Sequence, residues 1–303
     1  MTRPRPVFPG RFYFITRRCT QRQFLLRPDE ETNNAFVYCL AEAAARFEVV
    51  VVLSQMMSNH HHTLIYDPHG REVEFREHLH KFVAKSQNAL RGRWENLWAA
   101  EESCVVDVLE LEDVLDKLVY IATNPVKDGL VEHVRHWPGP KFVQALLSGK
   151  PLRAHRPNHF FRSDGPMPES VELKLELPAH IEGHDSLLEE LARRIAAVEE
   201  AHAKARLAAG RRVLGRRSVL RQSWRDSPTS HEPRRGLRPR VAARSKWARI
   251  AKLQRDKDFE VSYKDVRIRW LAGEEVTFPY GTYWLRRFAG VDVESPGQAP
   301  PRV

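Results

Sequence analysis

Two short segments hold the residue types most able to do chemistry. The first, Ser58-Asn59-His60-His61-His62-Thr63-Leu64-Ile65, sets His60 and His62 two positions apart at the start of an apolar run. An extended strand puts positions i and i+2 on one face, so both imidazoles could reach a single metal ion. The second, Tyr120-Ile121-Ala122-Thr123-Asn124-Pro125-Val126, offers a phenol and an amide four positions apart, which a helix stacks on one face. A phenol with a pKa near ~10 attacks poorly at neutral pH unless a base or metal assists it. Together these groups are the parts of a metal-assisted tyrosine nuclease. Singly they are weaker: most of the chain's 14 histidines must be surface or core residues. Pro125 also biases Asn124 away from helical geometry, so Asn-Pro could equally be a terminating turn.

The elements that must position these residues can be read from periodicity. Residues 11–17 are aromatic and β-prone, 31–47 show helical spacing, and 49–55 and 60–66 read as two strands closing a hairpin. Residues 72–94 form a second amphipathic helix, 104–107 a fourth strand and 108–123 a third helix. The order β-α-β-β-α-β predicts an α+β, ferredoxin-like (split βαβ) antiparallel sheet with helices on one face. Its strand order, 4-1-3-2, makes the histidine strand central, and the helix bearing Tyr120 could fold back over it. The remainder reads as a basic C-terminal extension. Residues 151–178 look like a connecting segment, 185–209 a charged helix and 223–240 a flexible linker. From 242 a small aromatic region begins with a helix over 242–255, followed by patterned stretches at 266–271, 275–278 and 283–288. The resulting division is 1–165, a nuclease-like unit; 166–240, helical and then a basic linker; and 241–303, a small accessory region with DNA binding as its expected role.

Charge is unevenly distributed over the 303 residues. The net charge is +10, yet residues 204–257 hold 18 Lys/Arg against 3 Asp/Glu, and residues 1–165 are nearly balanced with 22 basic and 20 acidic. Such a block suits phosphate contact or a solvated tail. Arg211, Arg212, Arg216 and Arg217 lie in it, and Lys81, Lys85, Arg91 and Arg93 lie on the second helix, where a solvated polar face is the plainer explanation. A hydrophobic content of 42% fits a globular chain, and no apolar run approaches the ~20 residues of a membrane span. The basic N-terminus lacks a following apolar stretch, so no secretory signal is expected. Cys19, Cys39 and Cys104 are odd in number and widely spaced, which points to reduced thiols and a cytoplasmic setting.

Taken together, the motifs resemble those of HUH-type single-strand transposases, in particular the REP-associated tyrosine transposase branch. Asn59, His60 and His62 followed by Leu64 and Ile65 resemble its paired-histidine element, and Tyr120 through Val131 match its Tyr-Ile-x-x-Asn-Pro-Val-[Lys/Arg]-x-Gly-Leu-Val element nearly throughout. Phe14 to Arg18 and Trp137-Pro138 are also similar, so the resemblance covers residues 8–145. It implies that His60, His62 and Asn124 hold a divalent cation, Mg²⁺ or Mn²⁺, and that Tyr120 cleaves single-stranded or hairpin DNA through a 5′-phosphotyrosine. It further implies a nucleoid-associated monomer or homodimer. His61 stands where that family has a hydrophobic residue, Ser58 where it has proline and Asp128 where a small or basic residue is frequent. The alternative is a decayed or repurposed nucleic-acid-binding protein on the same fold. A third possibility, an RNA-recognition sheet, is disfavoured because no Lys/Arg-Gly-Phe/Tyr strand motif is found; a fourth is a phosphoesterase that uses the histidines without a covalent tyrosine.

Overall fold

The computed structural model describes residues 4–230 and 239–297. Strand β1 (Arg11–Arg18) is followed by helix α1 (Glu30–Phe47), the hairpin β2 (Val50–Met56) and β3 (His60–Asp67), helix α2 (Glu72–Arg91), strand β4 (Cys104–Val108) and helix α3 (Leu111–Lys127). Then come α4 (Phe142–Ser148), β5 (Leu152–His155), β6 (Ser170–Leu173), α5 (His184–Ala208), α6 (Arg216–Arg221), β7 (Val241–Ala242), α7 (Lys246–Leu271) and α8 (Trp284–Ala289).

The fold is α+β, built on a mixed sheet ordered β2-β3-β1-β4-β7. The first four strands are antiparallel neighbours and β7 joins β4 in parallel. Tyr13, Phe14 and Ile15 in β1 are all buried, as are Leu64 and Ile65 in β3, because both faces of the sheet are covered. Helices α1 and α2 pack side by side on the face toward which His61 points, His61 meeting Phe36 of α1 and His80 of α2. Helix α3 lies over the face carrying His62. Local signals fix the helix ends. Asp29 accepts from the Thr32 amide at the start of α1 (2.9 Å), and Glu110 with Asp113 closes a reciprocal capping box on α3.

Four sequence expectations are revised. Residues 151–178 are more than a connection: β5 and β6 form a two-stranded sheet, joined to α1 by paired bonds between Asn34 and the His155 backbone (2.8 and 2.9 Å). Strands of four residues are too short to show an alternating pattern, and their prolines lie between them. Helix α2 stops at Arg91 because Gly92 turns left-handed (φ +60°). Helix α7 runs unbroken from Lys246 to Leu271 rather than stopping at 255. Its buried residues are Lys252, Asp256, Phe259 and Glu260, so its inward face is mostly charged and leaves no apolar period. Part of the expected linker is also built in: residues 222–230 bond to the loop after β1 through Phe24 N to Asp226 O (2.9 Å), Ser227 Oγ to Gln21 O (2.9 Å) and Arg27 Nη1 to Gln222 O (3.3 Å). Residues 231–238, including Pro233 and Gly236, lie outside the described residues. Among the described residues no helix is long and apolar enough to cross a membrane. None of the three cysteines is in a disulfide.

Candidate active site

Cross-strand register places the histidines. In β3 the pairings Arg18↔His60, Arg17↔His61 and Thr16↔His62 set alternate rings on opposite faces. His60 and His62 share one face, with ring centroids 4.7 Å apart. His61 turns to the other face, fully buried, where its Nδ1 meets Thr63 Oγ1 (3.0 Å) and its Nε2 meets His80 Nε2 (2.9 Å). The His61 position that the resemblance fills with a hydrophobic residue is thus a core position whose polarity is met by His80 and Thr63, and its ring is directed away from the His60–His62 pair. Burial, then His60 and Arg17, pushes the His61 imidazole down to about 3, so it packs neutral.

His60 and His62 are both oriented through Nδ1. Asn59 Nδ2 donates to the Arg22 carbonyl (3.1 Å), which fixes the amide so that Oδ1 must accept from His60 Nδ1–H (2.7 Å). His62 Nδ1 meets Thr16 Oγ1 (2.8 Å), while its Nε2 accepts a long 3.4 Å contact from Asn124 Nδ2. Phe14 stacks on the His62 ring at 5.4 Å and 19°. Burial, followed by Arg18 and Arg22, lowers the His60 pKa to about 4; burial, then His60, His61, Arg18 and Lys117, holds His62 well below its ordinary value. Both rings are therefore neutral near pH 7, the form that ligates metals.

Helix α3 supplies the other half. Pro125 does not end it at Asn124: the helix reaches Lys127, and the carbonyls of Asn124 and Pro125 accept from Asp128 N and Leu130 N (both 3.0 Å). Tyr120 and Asn124 consequently lie one turn apart. The Tyr120 ring, 38% exposed, sits 5.3 Å from His62 and 6.0 Å from Phe14, edge-on to both. The ammonium groups of Lys117 and Lys127 stand 5.9 and 5.1 Å from its centre. Asn124 is buried, and its Oδ1 has no hydrogen-bond partner. An orphaned buried carbonyl oxygen beside two oriented imidazoles fits a cation with mixed nitrogen and oxygen ligands. Among the described residues no group of three or more His, Cys, Asp or Glu side chains could hold a metal.

The basic residues divide by position. Arg91 is turned inward, 9% exposed, with Nη2 on Asp29 (2.6 Å) and Thr32 (2.8 Å), so its charge is engaged inside the fold. Lys81 and Lys85 are exposed on α2, and Arg93 lies 5.9 Å over Trp224. Arg211, Arg212, Arg216 and Arg217 are exposed, and their segment is fastened to the turn after α3 by Leu214 N to Gly129 O and Gly215 N to Leu130 O (both 2.9 Å). The roles of Thr16, Phe14, Lys117 and Lys127 were not foreseen. Only strand register brings Thr16 to His62, whereas Lys117 and Lys127 fall three and seven positions from Tyr120 and could have been found by helical spacing.

No protein-family model matches the chain, and no curated protein matches it. Among solved structures, the chain has a distant similarity to a REP-associated tyrosine transposase bound to a REP hairpin, at 17% identity and a TM-score of 0.41 over 56% of this chain and 97% of that one. A putative transposase from Deinococcus radiodurans R1 is similar at 18% identity and a TM-score of 0.29, over 39% of this chain and 93% of that one. Likeness this remote transfers no activity.

Proposed function

We propose that the protein is a metal-dependent single-stranded DNA endonuclease and strand transferase with Tyr120 as nucleophile, on a ferredoxin-like nuclease core. The carrying observation is the convergence of His60, His62, the unpartnered Asn124 Oδ1 and Tyr120. His60 Nε2, His62 Nε2 and Asn124 Oδ1 would hold the cation, Mg²⁺ or Mn²⁺. What such an ion supplies is polarisation of the scissile phosphate and neutralisation of charge as it develops there.

The chain's own groups do the rest. Asn59 and Thr16 lock the two rings, so little reorganisation precedes substrate binding. The ammonium groups of Lys117 and Lys127, 5.9 and 5.1 Å from the centre of the Tyr120 ring, put positive charge where a phosphate approaching that residue would sit. Tyr120 Oη attacks phosphorus, the bond to the 3′ oxygen breaks, and a 5′-phosphotyrosine forms. The phenol loses one proton and the departing 3′ oxygen gains one, so no co-reactant is consumed. Attack on that ester by another 3′-OH rejoins strands and returns the phenol.

The test is a denaturing gel of labelled single-stranded hairpin DNAs incubated with Mg²⁺ or Mn²⁺ and either wild type or Tyr120→Phe. A metal-dependent protein–DNA adduct seen only with wild type is expected. Binding with no adduct under any metal would replace this reading with a non-catalytic nucleic-acid-binding protein.

A further inference from the structure

Trp94 is 97% exposed, the most exposed large hydrophobic side chain among the described residues. An indole left wholly in water is unusual, because burying an aromatic of this size is strongly favourable. The loop that presents it is nonetheless well held. Gly92 closes α2 in the left-handed region, Arg93 N bonds back to Asn88 O (2.8 Å) and Asn88 Nδ2 donates to Glu95 O (2.7 Å). Just beyond, Leu97 and Trp98 are buried, and Trp98 Nε1 donates to His80 O (2.8 Å). Trp94 is thus displayed from a fixed turn.

That turn lies beside the candidate active site. The end of β1 is gripped from two sides: Cys19 N bonds to Asn59 O (2.7 Å), while Thr20 N bonds to Leu97 O (2.8 Å) and Ala99 N to Arg18 O (2.9 Å). The Trp94 loop and the Asn59–His60 pair therefore flank the same few residues. Around them the charge is mainly positive. Arg93 and Arg225 lie over the Trp224 ring, at 5.9 and 4.9 Å. Arg18 and Arg22 act electrostatically on His60, and Arg22 Nη1 reaches Ser230 O (2.8 Å). Glu95 and Asp226 are the acidic residues nearest in the chain, on the Trp94 loop and beside Arg225.

We infer that the surface formed by Trp94, Arg93, Trp224, Arg225, Arg18 and Arg22 is a docking track for single-stranded DNA, with an unpaired base stacked on Trp94 and phosphates on the arginines. The inference rests on the reading of the site as a DNA nuclease and adds where the strand runs. A π-face accepts any unstacked base, whereas the bases of a duplex are already stacked on each other. Arginine fits both parts of such a ligand, through phosphate pairing and through ring contacts. An apolar protein partner would instead be expected to meet a contiguous apolar patch, and here the neighbouring Trp224 ring is covered by Arg93 and Arg225.

The measurement is fluorescence anisotropy of a labelled oligothymidine with the full chain in EDTA, where no cleavage can contribute. Trp94→Ala should weaken binding by about five- to hundredfold, the range for loss of one base–aromatic stack. Trp94→Phe should recover most of it, and Leu207→Ala, which removes another exposed apolar side chain (81%) on α5, should change nothing. Arg225→Gln should make the salt dependence shallower by about 0.7 in log–log slope. Wild-type affinity in Trp94→Ala would overturn the inference, as would failure of the wild type to bind, or tighter binding to oligouridine than to oligothymidine. Reduced binding in Trp94→Ala together with absence of any Tyr120 adduct would uphold the track while removing the nuclease.

Discussion

Asn59→Ala separates the orientation of the site from the stability of the fold. Asn59 makes two side-chain bonds, accepting from Nδ1 of the adjacent His60 (2.7 Å) and donating across to the Arg22 carbonyl (3.1 Å). The loop it holds contains Gln21 and Arg22 at φ 49° and 59°, a left-handed pair without glycine that costs on the order of 1 kcal/mol per residue. Deleting the amide removes two hydrogen bonds of roughly 0.5–1.5 kcal/mol each, discounted because Asn59 is half-buried, so a loss of about 1–2 kcal/mol is expected. The effect on the site should be larger. Without an acceptor at Nδ1 the His60 ring can rotate and change tautomer, and loss of such a partner typically lowers metal affinity by about 10–100-fold. Asn59→Asp keeps the acceptor and removes the donor, so it should retain most of the affinity while still loosening the loop. Calorimetric titration with Mn²⁺ at pH 7, where burial and then Arg18 and Arg22 keep His60 neutral (pKa about 4), reads the first effect. Urea midpoints read the second. Equal Mn²⁺ affinity in Asn59→Ala and wild type would refute the assignment of His60 as an oriented ligand.

Two further outcomes follow from charged groups inside the fold. Lys252 is 5% exposed, with Nζ 2.6 Å from both Asp107 and Asp256. Lys252→Ala leaves Asp256 buried without this cation and Asp107 with only Arg5 at 3.9 Å, and should cost about 3–5 kcal/mol in urea denaturation; a loss below about 1 kcal/mol would show that α7 is not fastened this way. Burial would raise the Asp29 pKa, but the Thr32 hydroxyl and Arg91 hold it below its ordinary 3.8. A depressed carboxyl stabilises the fold above its unfolded pKa and loses that contribution as pH falls through the folded value. Asp29→Asn should therefore be less stable than wild type at pH 7 and converge with it in acid, as pH falls through the depressed carboxyl value below 3.8, and a gap persisting in acid would exclude the Asp29–Arg91 pair as its source.

Much of the chemistry could be read from spacing, since a two-residue interval means one face of a strand and a four-residue interval one face of a helix. That sufficed for His60 with His62 and for Tyr120 with Asn124. Partners that depend on tertiary register could not be read. Thr16 meets His62 only because β1 and β3 align as they do, and His61 meets His80 across a strand and a helix 19 positions apart. Pro125 misled for a local reason, because proline's restriction on its predecessor is a bias that the packing of α3 overrides for one last turn. In α7 the pattern was absent for an energetic reason: what it buries is an ion-pair network, which carries no hydrophobic period. The parallel strand β7, at two residues, is below the length at which any periodicity exists.

The two ends of the main sheet carry a consequence for how this chain can be cut. The free rim of β4 is taken by β7, with Asp107 N bonding to Arg240 O (2.8 Å) and α7 following directly. At the opposite rim, Glu176 N bonds to Val51 O (3.3 Å) of β2, and Leu175 and Leu177 on either side are buried. Both covers come from sequence beyond residue 165, where the nuclease-like unit looked complete. A chain stopped there would present two rows of unpaired backbone groups flanked by apolar side chains, the template on which strands of separate molecules join. The extension thus covers backbone groups at both rims of the sheet.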